Sequence, residues 1–366
     1  MAMTTLAADE RAALRDAVNR LLTAKSTEAD VRRTMATPQG YDQALWQGLA
    51  EMGVTGLIID PEFGGSGAGP VELEEVMEEA GAALLCSPLF ASSVMAASLL
   101  DTLGDGAAQA RWLPGIADGS LIATVCLTGD QGLWTPDAVA VTATGNTLDG
   151  VANYVLHGQN AGLLLVVANT AEGQGVFAVD AKAAGVTVAS HKTLDATLRL
   201  ARIEFKGAAA ERIGGRGWEA VDEALDVARV ALAGEQAGAA GFLFDMTVNY
   251  IRNRYQFGRA IGGFQAIKHM AADLLVEKES CISAARHAAR AMAAGADTAG
   301  ADISLAAFAC ADSFAKIAFD SIQMHGGIAY TAEYPAHLYL RRARATAFLL
   351  GNSNYYRDRY LTLLGA

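Results

Sequence analysis

Along residues 6–120, apolar side chains recur at intervals of three and four, the spacing of one face of an α-helix. Leu6–Leu22 and Tyr41–Met52 carry that pattern, and Gly53 stands where a C-terminal glycine would end the second helix. A short apolar stretch, Val54–Ile59, runs into Pro61-Glu62-Phe63-Gly64-Gly65-Ser66-Gly67, a breaker-rich loop. Pro70–Ala83 then resumes helical spacing with an acidic face.

From about residue 121 to 212 the pattern shortens. Ile122–Thr128, Ala138–Thr144, Leu163–Ala168, Val176–Val179, Val186–Ala189 and Ala201–Phe205 are brief runs rich in valine or leucine. Turn residues such as Gly145-Asn146 and Gly173–Gly175 separate them. Short strands without intervening helices predict a compact antiparallel β-domain, not an alternating β/α sheet.

Helical spacing returns at Trp218 in long pieces: Trp218–Arg252, Phe264–Ala294 and Ile303–Met324, with breakers at Gly258–Gly263, Gly295–Gly300 and Gly326-Gly327. Long alanine-rich helices of this kind form an antiparallel bundle whose faces also suit oligomer contacts. The expectation is an α+β chain: an N-terminal helical domain over 1–120, a middle antiparallel β-domain over 121–215, and a C-terminal long-helix bundle over 216–366.

Composition narrows the function classes. Of the 366 residues, 52% are apolar, yet no uninterrupted apolar run approaches the ~20 residues that span a bilayer. The net charge of −12 repels nucleic acid and anionic lipid, although a local basic patch can still hold one phosphorylated ligand. The first twenty residues lack a basic region followed by an apolar core, so no secretory signal is expected there. Cys86, Cys126, Cys281 and Cys310 are scattered without a CxxC, as expected of reduced thiols in a cytoplasmic protein without a metal site.

The chain carries no GxGxxG, Walker, HExxH or GxSxG motif. It does carry Arg254-Tyr255-Gln256-Phe257-Gly258-Arg259, then Gln265 eleven residues after the arginine, then Gln323-Met324-His325-Gly326-Gly327. In these elements, in their order and on an α–β–α plan, the sequence resembles the acyl-CoA dehydrogenase family. Pro61–Gly67 also looks like that family's N-terminal Pro-x-x-Gly-Gly-x-Gly.

The resemblance implies FAD as cofactor, and the residue types suit it. The Arg254 guanidinium can fork two hydrogen bonds onto a pyrophosphate. Phe257 offers an aromatic surface, Gln265 and Gln323 offer amides, and Gly326-Gly327 lets backbone N–H groups approach phosphate oxygens. Within the family these groups reach the cofactor of a neighbouring subunit, which couples FAD binding to a tetramer. Thr128 matches the threonine of the family's β-domain motif.

The family's chemistry also needs a carboxylate to take the substrate's α-proton while the β-hydride moves to the flavin. Counting from Glu333-Tyr334-Pro335, one of its two positions falls on Leu350; the other, 26 residues before Arg254, falls on Ala228. Neither is an acid. Glu235, two helical turns beyond Ala228 on nearly the same face, is the leading substitute base, or else a structural acid bonded to a backbone group or a basic residue. Arg229 matches an arginine the family keeps near its active site.

The β-domain departs as well. Thr128-Gly129-Asp130-Gln131-Gly132-Leu133-Trp134-Thr135 keeps only the threonine clearly, and Tyr154-Val155-Leu156-His157-Gly158 lacks the hydroxyl expected near the flavin.

Two functions follow from the resemblance. The first is an FAD-dependent acyl-CoA dehydrogenase forming a 2-enoyl-CoA in fatty acid or steroid side-chain oxidation, with electrons passed to an electron-transfer flavoprotein. The alternative is a catalytically inactive partner that completes the FAD site of a hetero-oligomeric enzyme. The oligomer is correspondingly a homotetramer or an α2β2 assembly, resembling bacterial steroid-degrading enzymes of two unlike subunits.

Overall fold

The computed structural model describes residues 5–365. Six helices precede the sheet: α1 (Ala8–Lys25), α2 (Glu28–Met35), α3 (Gln43–Glu51), α4 (Pro70–Ala82), α5 (Ala97–Leu103) and α6 (Gly106–Ala117). A π-helical turn, Phe90–Ala96, leads into α5. Two compact units form, each drawing on more than one of the three expected segments: residues 32–69 with 86–228, and residues 5–31 with 70–85 and 229 onward.

In the first unit, short helices end where the sequence provides caps. Asp42 accepts from Leu45 N at 2.9 Å to open α3, and Asp105 accepts from Ala107 and Ala108 N to open α6. The sheet contains β1 (Ala123–Cys126), β2 (Val141–Thr144), β3 (Thr147–Leu156), β4 (Leu163–Thr170), β5 (Gly173–Asp180), β6 (Val186–Ser190), β7 (Leu200–Ala209) and β8 (Glu211–Ile213). Its order is β6-β7-β3-β2-β4-β5-β8, with β1 beside β4. Leu148, Leu164, Val166, Phe177, Ile203 and Phe205 form its core.

The sheet is mostly antiparallel. The exception is β4, which crosses to the far side of β2 and so runs parallel to β2 and β1. Two strands escape the sequence pattern. In β3, Asp149, Gly150 and Asn153 interrupt the alternation, and register shifts at Leu148/Gly150 and Ala152/Val155 absorb them as bulges. β8 is short and polar. Gly173–Gly175 is also not a turn: Ala171-Glu172 makes the turn, and the glycines open β5, paired as Thr170↔Gly173 and Ala168↔Gly175.

The second unit is helical. The long helix α7 (Trp218–Asn253) enters it from Arg229 onward and ends in a small hairpin of β9 (Tyr255–Gln256) and β10 (Arg259–Ala260). Then come α8 (Gln265–Ala293), α9 (Ala299–His325), α10 (Ala336–Thr346) and α11 (Ser353–Leu363). Glycine allows α4 and α7 to cross almost backbone to backbone. A Cβ on Gly238 would lie 1.7 Å from Glu78 O, and one on Gly81 would lie 1.9 Å from Glu235 O.

The acidic face of α4 is buried. Arg15 donates to Glu79 and Glu78 at 2.7 and 2.8 Å, Arg286 reaches Glu78 at 3.0 Å, and Leu6 N donates to Glu72 at 2.9 Å. Those carboxylates therefore tie α1 and α8 to α4. All four cysteines are buried, and among the described residues none forms a disulfide. Among the described residues, no helix is long and apolar enough to cross a membrane.

Candidate functional site

The predicted cofactor residues of the second unit gather at one end of its bundle. Arg254 follows the last residue of α7, its N–H bonded to Tyr250 O and its carbonyl accepting from Ile261 N. Gln265 is the first residue of α8, and Gln323 lies in the last turn of α9. α8 and α9 run antiparallel with Glu277 level with Ser313 and Cys281 with Cys310, a register that brings Gln265 level with the His325-Gly326 end of α9. Tyr250 and His325 rings stand 4.4 Å apart, which ties the ends of α7 and α9 together.

This end is open to a ligand. Arg254, Gln265, Gln323, Gly326 and Gly327 are all exposed. Among the described residues, no carboxylate pairs with Arg254. A Cβ built on Gly326 or Gly327 meets nothing within 4 Å, and Gly326 has φ 67° and ψ −146°, a conformation that suits glycine. Phe257 is 91% exposed at the hairpin tip with φ 53°, so it is no core residue of this chain; its ring meets Phe264 edge-on at 6.2 Å. An unpaired guanidinium, two amides and free backbone at a glycine turn fit the pyrophosphate and polar edges of an adenine dinucleotide.

The first unit holds Thr128 differently. It is buried, and its hydroxyl donates to Asn153 O across to β3. Asp130 accepts from Asn153 Nδ2 at 3.0 Å and from Arg202 at 2.7 Å, while His191 lies 2.6 Å from Asn153 Oδ1 and stacks on Tyr154. The segment that departs from the family motif is thus bound up in an internal network. His157 takes φ 50° and lies 3.0 Å from Asn160, a turn arrangement.

Both expected base positions are filled by apolar side chains at 0% exposure, Ala228 and Leu350. Leu350 adopts φ 65°, and its carbonyl accepts from Tyr356 Oη at 2.6 Å. Arg229 is buried with its guanidinium 5.8 Å from the Tyr356 ring. It lines a cavity of about 10 Å³ with Gln236, Thr346 and Gly351, room for about one water rather than an acyl chain.

Glu235 has a basic partner. Arg342 Nη1 lies 2.5 Å from its Oε1, both side chains are buried, and Arg342 Nη2 also donates to Leu85 O. The guanidinium thus holds one of the two carboxylate oxygens, Oε1.

Arg342 escaped the sequence reading. Leu338, Tyr339, Arg342, Ala343 and Thr346 recur at helical spacing and are all buried, so an arginine on an apolar face was the signal that could have found it. Glu74 is a second buried acid the spacing did not single out. It is 1% exposed, among the described residues its Oε1 has no hydrogen-bond partner, and burial, with Glu78 adding to it, pushes its pKa up to about 8. A separate half-open cavity of about 400 Å³, lined by Leu22, Leu84, Phe242, Met246 and Tyr339, touches none of the residues singled out from sequence.

A helical front segment, a mostly antiparallel sheet and a long-helix bundle define the class: an α–β–α chain. Comparison makes it specific. Residues 8–120 match the acyl-CoA dehydrogenase N-terminal domain, and residues 215–361 match the acyl-CoA dehydrogenase C-terminal domain. Acyl-CoA dehydrogenase IpdE2 of Mycobacterium tuberculosis is 35% identical, covering 93% of each chain.

Among solved structures, the ChsE4-ChsE5 complex from Mycobacterium tuberculosis superposes with TM-score 0.90 at 29% identity, covering 100% of this chain and 99% of that one. The Tcur3481-Tcur3483 steroid ACAD gives TM-score 0.87 at 29% identity, covering 98% of each. The chain belongs to the acyl-CoA dehydrogenase family, whose members are oxidoreductases.

Proposed function

We propose that this chain is the non-catalytic subunit of an FAD-dependent acyl-CoA dehydrogenase built from two unlike chains. Its Arg254, Phe257, Gln265, Gln323 and Gly326-Gly327 hold the dinucleotide portion of FAD for a partner that supplies the base. The observation that carries this reading is that neither expected base position holds an acid. Ala228 and Leu350 are buried apolar residues, and the one acid on the Ala228 face of α7, Glu235, is closed by Arg342. The similar ChsE4-ChsE5 complex and Tcur3481-Tcur3483 steroid ACAD each comprise two named proteins, which supports a heteromeric assembly.

When bound, FAD supplies the hydride acceptor. The chain's own part is to grip: a forked guanidinium fixes the pyrophosphate, and amides at two helix ends fix its direction. A carboxylate of the partner would take the α-proton of an acyl-CoA while the β-hydride goes to FAD as acceptor, the two losses together leaving the 2-enoyl-CoA, and the electrons would pass on to an electron-transfer flavoprotein. The assembly is an α2β2 tetramer in the cytoplasm, acting on fatty or steroid side-chain acyl groups.

Co-purification from the native host tests this, with flavin content and partner identity read from the same sample. A yellow complex with a second dehydrogenase-like chain is the expected result. A yellow homotetramer that oxidises an acyl-CoA by itself would contradict it, and would return Glu235 to the role of base.

A further inference from the structure

α7 and α9 deliver separate parts of the cofactor edge, Arg254 from one and Gln323 with Gly326-Gly327 from the other. Their relative position must be fixed to within a few tenths of an ångström for one ligand to meet both. The contact between the two helix ends is specific. Tyr250 Oη donates to His325 O at 3.2 Å, and the two rings pack with centroids 4.4 Å apart. Tyr334 joins the same cluster, its ring centroid 4.8 Å from the imidazole and 5.9 Å from the Tyr250 ring.

His325 is held in one orientation. Its Nδ1 lies 2.7 Å from Ser321 O, an acceptor, so Nδ1 carries the proton and Nε2 a lone pair. Nε2 is buried and, among the described residues, has no hydrogen-bond partner. Burial lowers the histidine's pKa, which favours the neutral ring beside the two tyrosines. Below it, Thr247 Oγ1 donates to Ser321 Oγ at 2.9 Å, so α7 grips the last turn of α9 at two levels.

Each partner adjoins a cofactor element. Tyr250 O accepts the N–H of Arg254, and the His325 carbonyl, which Tyr250 Oη holds, opens directly into Gly326. We propose that Tyr250 and His325 are a positioning pair, which sets the Arg254 guanidinium in register with the Gly326-Gly327 turn and so determines FAD affinity without touching the chemistry. This rests on the reading of that end as an FAD-holding edge.

The test is titration of FAD into the flavin-depleted full-length assembly, with melting temperature measured on each variant. Tyr250→Phe removes one hydrogen bond and is expected to weaken FAD binding about fivefold to tenfold. His325→Gln extends its amide toward Nε2 and loses the Ser321 bond, so it weakens binding to a similar degree. His325→Asn places an N–H where Nδ1–H stands and is expected to recover most of the affinity.

Two results overturn the inference. One is wild-type FAD affinity in both Tyr250→Phe and His325→Gln. The other is equal loss in His325→Asn and His325→Gln that follows melting temperature alone, the mark of a merely structural contact. Failure of the underlying reading looks different: the wild-type assembly would then take up no FAD at all.

Discussion

Arg342 and Glu235 form an ion pair of 2.5 Å between α10 and α7, with side chains only 2% and 7% exposed. Two buried charges of opposite sign neutralise each other, but each depends on the other, because a lone ion left there has lost its water and gained nothing. The pair therefore explains why an acid persists on a face of α7 that otherwise carries apolar residues such as Ala228, Ala231 and Leu232.

Removing one member should cost more than removing a surface pair. Glu235→Ala or Arg342→Ala is expected to lower stability by about 3–5 kcal/mol, measured by urea unfolding. Glu235→Gln, once folded in the assembly, should reduce flavin with acyl-CoA at the wild-type rate. Loss of flavin reduction with FAD still bound would make Glu235 the base.

Glu74 gives the chain a pH dependence of definite sign. Its folded pKa is raised from 4.5 to about 8, so the folded state holds this proton more tightly than the unfolded one. The stabilisation is complete below about pH 4.5 and is lost as pH rises toward 8. Glu74→Gln keeps the shape without the charge. Relative to wild type it should be more stable at pH 8–9, by on the order of a few kcal/mol, and comparison of denaturation midpoints at pH 6 and pH 9 reads the difference directly.

Arg254 is exposed and, among the described residues, unpaired with any carboxylate, so its replacement should leave folding unchanged. Arg254→Lys keeps the charge and loses the fork. FAD affinity of the assembly is expected to fall about tenfold or more with no shift in melting temperature. Equal affinity would place the pyrophosphate elsewhere.

Much of this molecule was legible in one dimension, for a physical reason. Helices such as α7 and α8 repeat their signal over many turns, and the Arg254 hairpin lies between breakers that only a loop tolerates. β3 was not legible, because its bulges place Gly150 and Asn153 where alternation predicts otherwise.

The site divides in the same way. Arg254, Gln323 and Gly326-Gly327 sit at helix ends and turns, where local sequence decides geometry. Glu235 depended on Arg342, 107 residues away, and no spacing rule reaches that far. Thr128 showed as a motif threonine, but the acceptor of its hydroxyl, Asn153 O, lies across the bulged strand.

The most direct measurement is the flavin-to-polypeptide ratio of the purified chain, alone and in its assembly, with acyl-CoA reduction followed in the same cuvette. The account predicts little flavin and no reduction alone, then one flavin for every two chains and full bleaching once the unlike partner is bound. One flavin per chain in the isolated protein, bleached by an acyl-CoA, would contradict it.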